Sequence, residues 1–133
     1  MAQHILVVDD DPDFVGLLSH ILRRAGYQVA IALSGRAALE RVRQVRPDLI
    51  VLDVMMPEMN GYEVARRLRA QQGTITIPIV MVTARALLSD HVTGLQVSAT
   101  AYLAKPVLPY DVVRTIRRIL GGNNFEPSPR NAD

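Results

Sequence analysis

Asp9, Asp10 and Asp11, with Asp13 just behind them, follow directly on the apolar run Ile5-Leu6-Val7-Val8, and Asp53 closes a second run, Leu49 to Leu52, in the same way. If the two runs lie side by side, carboxylates at their ends repel one another. A hard divalent cation relieves that repulsion, and Mg²⁺ is suited because it takes one or two carboxylates and keeps several waters. Lys105 is the single lysine among 15 Lys and Arg residues, so its position favours a compact ammonium. A plainer reading competes at each position. Asp11, before Pro12, is best read as a helix N-cap, whereas the agreement of two strand ends favours a shared site for Asp10 and Asp53.

The remaining composition narrows the chemistry. Without cysteine there are no disulfides, thiolate nucleophiles or cysteine-bound zinc, and His4, His20 and His91 are too scattered for a metal cluster. Any metal should sit on oxygens. No apolar run approaches the roughly 18 residues of a membrane span, and no basic region or cleavage site marks the start for export. A cytoplasmic protein without membrane contact is expected. The net charge of +2 is uneven, acidic early and arginine-rich later, which reads as a solvated face rather than direct nucleic-acid binding.

The elements that must position these residues alternate in type. Ile5 to Val8 is short, β-branched and unalternating, as in a strand covered on both faces. Pro12 opens a helix whose apolar stripe is read as Phe14, Leu17, Leu18, Ile21 and Leu22, ending near Gly26. Tyr27 to Ala32 reads as a strand and Ser34 to about Val45 as a helix with Ala37, Ala38, Leu39 and Val42 inward. Leu49 to Leu52 is the third strand. The turn-rich Met55 to Gly61 leads into a helix over Tyr62 to Ala70, with Val64, Ala65 and Leu68 inside. Pro78 to Val82 is a fourth strand ended by Thr83, and Leu88 to Val97 a weakly amphipathic helix expected to be mobile. Ala101 to Ala104 is a fifth strand. Pro109 to Leu120 is the last helix, with Val112, Val113, Ile116, Ile119 and Leu120 on one face and Arg114, Arg117 and Arg118 on the other. Residues 1–122 read as one domain and 123–133 as a flexible tail or the start of a linker. Five such β-α units argue for an α/β fold, a parallel sheet with helices on both faces.

Ile5 to Pro12, Asp48 to Pro57, Val82-Thr83-Ala84 and Lys105-Pro106 together resemble the receiver domain of two-component response regulators, over about residues 4–120. The resemblance implies a flavodoxin-like, doubly wound five-stranded sheet in the order 2-1-3-4-5, with Asp9, Asp10 and Asp53 at the switch point where such sheets bind ligands. It also implies the roles. Asp53 is the phosphorylated residue; Asp10, Asp53 and the Met55 backbone carbonyl bind Mg²⁺ directly, and Asp9 does so through water. Lys105 offers a point charge to the phosphoryl oxygens, the Thr83 hydroxyl swings to the phosphate, Ala84 leaves room for the donor, and Tyr102 is the aromatic that turns inward when the threonine moves. The implied donor is a sensor histidine kinase or a histidine phosphotransfer protein. The output is a changed face of fourth helix, fifth strand and fifth helix, read by a downstream protein or an effector domain outside this chain.

Ser98 to Ala101 lacks the glycine and acidic residues the family often shows there, so at most a weak homodimer is expected. Val107 replaces a common aromatic, and Met55 and Arg85 occupy positions that tune phosphate lifetime in the family. A phosphatase of the haloacid-dehalogenase type needs an acid at position 55, where methionine stands. A flavin-binding protein would not place three aspartates against a phosphate. The nearer rival is a degenerate receiver that binds partners without phosphorylation. The expectation is a signalling domain rather than an enzyme, with at most Mg²⁺-dependent self-phosphorylation and autodephosphorylation.

Overall fold

The structure is a computed structural model that describes residues 2–84 and 99–121. Five parallel strands, β1 (His4–Val8), β2 (Gln28–Ala32), β3 (Leu49–Asp53), β4 (Ile79–Ala84) and β5 (Ala101–Lys105), form one sheet in the order β2-β1-β3-β4-β5. This is the order implied by the family resemblance. The unalternating apolar runs are explained by the layers. Leu6, Val8, Ile50, Leu52, Ile79 and Met81 face α2 (Gly35–Gln44) and α3 (Gly61–Arg69). The intervening Ile5, Val7, Leu49, Val51, Val80 and Val82 face α1 (Pro12–Arg24) and the C-terminal helix (Pro109–Ile116). Side chains alternate across a strand, so two covered faces demand apolar residues at every position.

The helix starts follow local chemistry. Asp11 caps α1, its carboxylate accepting from the N–H groups of Asp13 and Phe14 at 3.0 and 3.4 Å, with Pro12 opening the helix. Ser34 and Asn60 cap α2 and α3 through the N–H groups of Ala37 and Glu63. At the end of α1, Gly26 adopts φ 104, where glycine alone is unstrained, and its N–H and that of Tyr27 return to the carbonyls of Arg23 and Leu22.

Two details differ from the sequence reading. The buried stripe of α1 is Val15, Leu18, Ser19 and Leu22, while Leu17 is 52% exposed. At 3.6 residues per turn Leu17 lies roughly 150° from the centre of that stripe, with Phe14 and Ile21 on its margins. The last helix is α-helical only to Ile116 and widens to a π turn over Arg117–Gly121, leaving Ile119 and Leu120 half-buried at the edge of the core. The helix expected over Leu88 to Val97 and the tail from Asn123 lie outside the described residues.

Candidate functional site

Parallel register brings the marked residues to one edge. Val8 pairs with Leu52, so Asp9 and Asp53 end adjacent strands. Asp53 pairs with Val82, Thr83 with Ala104, and Ala84 with Lys105, which sets Asp53, Thr83 and Lys105 along the carboxyl edge of β3, β4 and β5. Carboxylate oxygens of Asp9, Asp10 and Asp53 all lie within 4.8 Å of one another.

The three carboxylates are not equivalent. Asp9 is buried and both its oxygens are engaged: Oδ1 accepts the Asp11 N–H at 3.0 Å and Oδ2 the Lys105 ammonium at 2.9 Å. Asp10 is exposed. Asp53 is 3% exposed, and its Oδ1, although 3.3 Å from Lys105 Nζ, has no hydrogen-bond partner among the described residues. The ammonium is close enough for attraction but is aligned on Asp9. Burial, and then the negative charge of Asp9, push the Asp53 carboxyl up to about 6, with Lys105 and the Met55 backbone countering only in part. Burial pulls the Lys105 ammonium down, but the Asp9 hydrogen bond and the charges of Asp53 and Asp9 outweigh it and leave its pKa raised.

An all-oxygen set, with one exposed carboxylate and one buried carboxylate oxygen lacking a hydrogen bond, suits a hard cation such as Mg²⁺. The Met55 side chain is exposed, and its carbonyl accepts no backbone hydrogen bond among the described residues. Thr83 is fully buried and its Oγ1 has no partner among the described residues, an arrangement that costs about 1–3 kcal/mol when nothing reaches the hydroxyl. The sequence reading ended β4 before Thr83; the strand continues through Thr83 to the exposed Ala84. Tyr102 pairs with Met81 and packs on the α2–α3 side, so it shares a face with Thr83, two residues along β4. Burial raises its pKa.

Two neighbours of the site were not singled out from the sequence. Gly61, at the start of α3, donates its N–H to Val54 O at 2.9 Å. A Cβ there would collide with the Asp53 carbonyl oxygen and come within 2.9 Å of the Asp53 carbonyl carbon and the Val54 Cα. The Asn60-Gly61 turn signal marks the loop but not this approach. Phe14, read only as part of the helix stripe, places its ring under the Lys105 ammonium, 5.3 Å from Nζ to the centroid. Nothing in its sequence spacing distinguishes it from a core aromatic.

Residues 5–117 match the response regulator receiver domain family. The DNA-binding response regulator MtrA of Mycolicibacterium smegmatis is 45% identical over 128 residues, covering 96% of this chain and 55% of the relative. The chain thus spans about half the length of such curated relatives. Among solved structures, a response regulator from Chloroflexus aurantiacus superposes with a TM-score of 0.83 at 37% identity, covering 91% of this chain and 99% of the other. The receiver domain of a sensor histidine kinase from Pseudomonas aeruginosa superposes with a TM-score of 0.81 at 34% identity and the same coverage, and was crystallised with magnesium ion coordinated in the active site cleft.

Proposed function

The chain belongs to the response regulator receiver domain family, and from that premise we propose that it is switched by accepting a phosphoryl group on Asp53. A receiver domain is a phosphorelay signalling module rather than a conventional enzyme. The observation that carries the choice of Asp53 is its buried oxygen, free of hydrogen bonds among the described residues and set among Asp9, Asp10 and Lys105.

An Asp53 carboxylate oxygen attacks the phosphorus of a phosphohistidine, from a sensor kinase or a phosphotransfer protein, or of a small acyl phosphate. An O–P bond forms as the N–P or acyl O–P bond breaks, and the departing imidazole or carboxylate takes the electron pair. Mg²⁺, when bound, supplies charge neutralisation at the phosphoryl oxygens. Asp10, Asp53 and the Met55 carbonyl would hold it directly. Asp9, whose two oxygens are already engaged, is suited to act through water. Lys105 presents a point charge to the phosphoryl oxygens, and Ala84 leaves room beside them. Thr83 gains a partner for its buried hydroxyl, and Tyr102, on the same face, follows it. A ligand that binds one of two packings better shifts the population toward it, altering the face that carries β5 and the C-terminal helix. The readers of that face are a downstream protein or an effector domain beyond residues 1–122, with 123–133 as tail or linker. The chain works inside the cytoplasm, and no helix among the described residues is long and apolar enough to cross a membrane.

Incubation with acetyl phosphate and Mg²⁺, followed at once by intact mass, tests this. One phosphoryl adduct is expected, lost in Asp53→Asn and in EDTA. No adduct, with a cognate kinase also failing to label the protein, leaves a constitutive binding module on a receiver fold.

A further inference from the structure

Lys105 is the last residue of an edge strand, on a flexible four-carbon stem, and its side chain is 33% exposed. A lysine so placed loses considerable rotamer freedom if it is held in one place. Its single hydrogen bond among the described residues goes to Asp9 at 2.9 Å, while the Asp53 contact at 3.3 Å is unaligned. The carboxylates approach from the sheet edge. The Phe14 ring, in the first turn of α1, lies 5.3 Å from Nζ and is itself fixed by packing against the core between α1 and the C-terminal helix. An aromatic face attracts an ammonium through its quadrupole and excludes water from that side.

We propose that Phe14 is a positioning residue for phosphoryl transfer, its ring face holding the Lys105 ammonium at the corner between Asp9 and Asp53. This role rests on Asp53 being the acceptor. Phe14 touches neither the acceptor nor the donor; it acts through Lys105, which would otherwise spend part of its time swung out into solvent. The contact is a distinct device from the Asp9 hydrogen bond, because it restrains the ammonium without adding a negative charge to a site already crowded with them.

The chain has one lysine, so protein labelled with ¹³C-lysine gives a single ε-methylene resonance that reports on this contact. In the intact, metal-free protein that resonance is expected upfield, under the Phe14 ring current. It should return to an ordinary position in Phe14→Leu and in Phe14→Met, which keep apolar bulk without the ring, and stay upfield in Phe14→Tyr. The rate of acetyl-phosphate labelling of Asp53 with Mg²⁺ should fall about two- to fivefold in Leu and Met and recover in Tyr, the range for a partly exposed cation–π contact. A residue that only fills the core would leave the rate unchanged in Leu and Met whether or not the lysine resonance moves, and that result overturns the proposal. So does a slowed rate with an unmoved lysine resonance. The Met variant serves if Leu does not fold. Failure of the unsubstituted protein itself to take up the phosphoryl group would remove the acceptor reading and this role with it; success there with no change in the variants removes only the role of Phe14.

Discussion

Replacing Asp53 by asparagine should stabilise the metal-free protein, by an amount that depends on pH in a defined way. Burial, and then the charge of Asp9, place the Asp53 carboxyl at about 6 against an ordinary 3.8. A carboxyl whose pKa rises on folding holds its proton more tightly in the folded chain, so ionising it favours unfolding. The wild type keeps its full stability below the unfolded value and loses part of it as pH rises from about 4 through about 6. A shift of about two units corresponds to about 3 kcal/mol, an upper figure because asparagine brings an amide that also needs partners. Asparagine keeps the shape and never ionises. Its advantage should be close to zero near pH 3, about 0.5 kcal/mol near pH 4, roughly 1.5 kcal/mol near pH 5, and about 3 kcal/mol above pH 7. For 133 residues that is on the order of 10 °C in Tm. Urea titrations of both proteins in EDTA across this range measure it. Mg²⁺ should then raise the wild type and barely move the variant. A gap that does not change with pH, or a wild type more stable near pH 8, would refute the claim that burial and like charge set the state of Asp53.

Three further outcomes follow from neighbouring atoms. Thr83→Val keeps the volume and removes a buried hydroxyl without a partner, so urea unfolding should show a gain of about 1 kcal/mol while the response of the β5 face to phosphorylation weakens. Gly61→Ala forces a methyl against the Asp53 carbonyl and the Val54 Cα; it should cost about 2–3 kcal/mol by thermal unfolding and slow acetyl-phosphate labelling even where the protein is fully folded. Lys105→Met leaves Asp9 and Asp53 without their ammonium. The loss near pH 8 should be about 1–2 kcal/mol, discounted because Lys105 is a third exposed, and should shrink in acid or in the Asp53→Asn background.

Most of the fold was legible because both sheet faces are covered. The runs at Ile5, Leu49 and Ile79 had to be apolar throughout, and the polar residues that follow them marked the sheet edge where the site assembles, although β4 runs through Thr83 to Ala84. Asp11 lies within three residues of the N–H groups it caps, so sequence spacing exposed the start of α1, whereas Asn60 was legible only as part of a turn-rich loop. What escaped depends on orientation across the chain. Leu17 has the right residue type but the wrong angle. Gly61 matters because it meets β3, and Phe14 because its ring meets a residue 91 positions away, a contact no local pattern encodes. The strand order came with the family resemblance, since alternation alone leaves several orders open.

The energetics of the site run against those of the fold. The two apolar clusters that flank the sheet hold β1, β3 and β4 in place whether or not the carboxyl edge is electrostatically comfortable. They allow Asp53 to stay buried and ionised, and Thr83 to stay buried without a partner, at a combined cost of a few kcal/mol. That cost lies in groups that a cation and a phosphoryl group would satisfy: negative charge for the first, an acceptor for the Thr83 hydroxyl in the second. The stability recovered by Asp53→Asn and Thr83→Val therefore measures, within the limits of additivity, the free energy the folded domain holds in reserve for binding. If Asp53→Asn and Thr83→Val each stabilised the protein while phosphorylation of the wild type raised its unfolding midpoint by a comparable amount, that reserve would be the source of the switch. If phosphorylation left the midpoint unchanged, the reserve would have been spent on rearranging the β5 face, and the two cases are separated by the same unfolding curve.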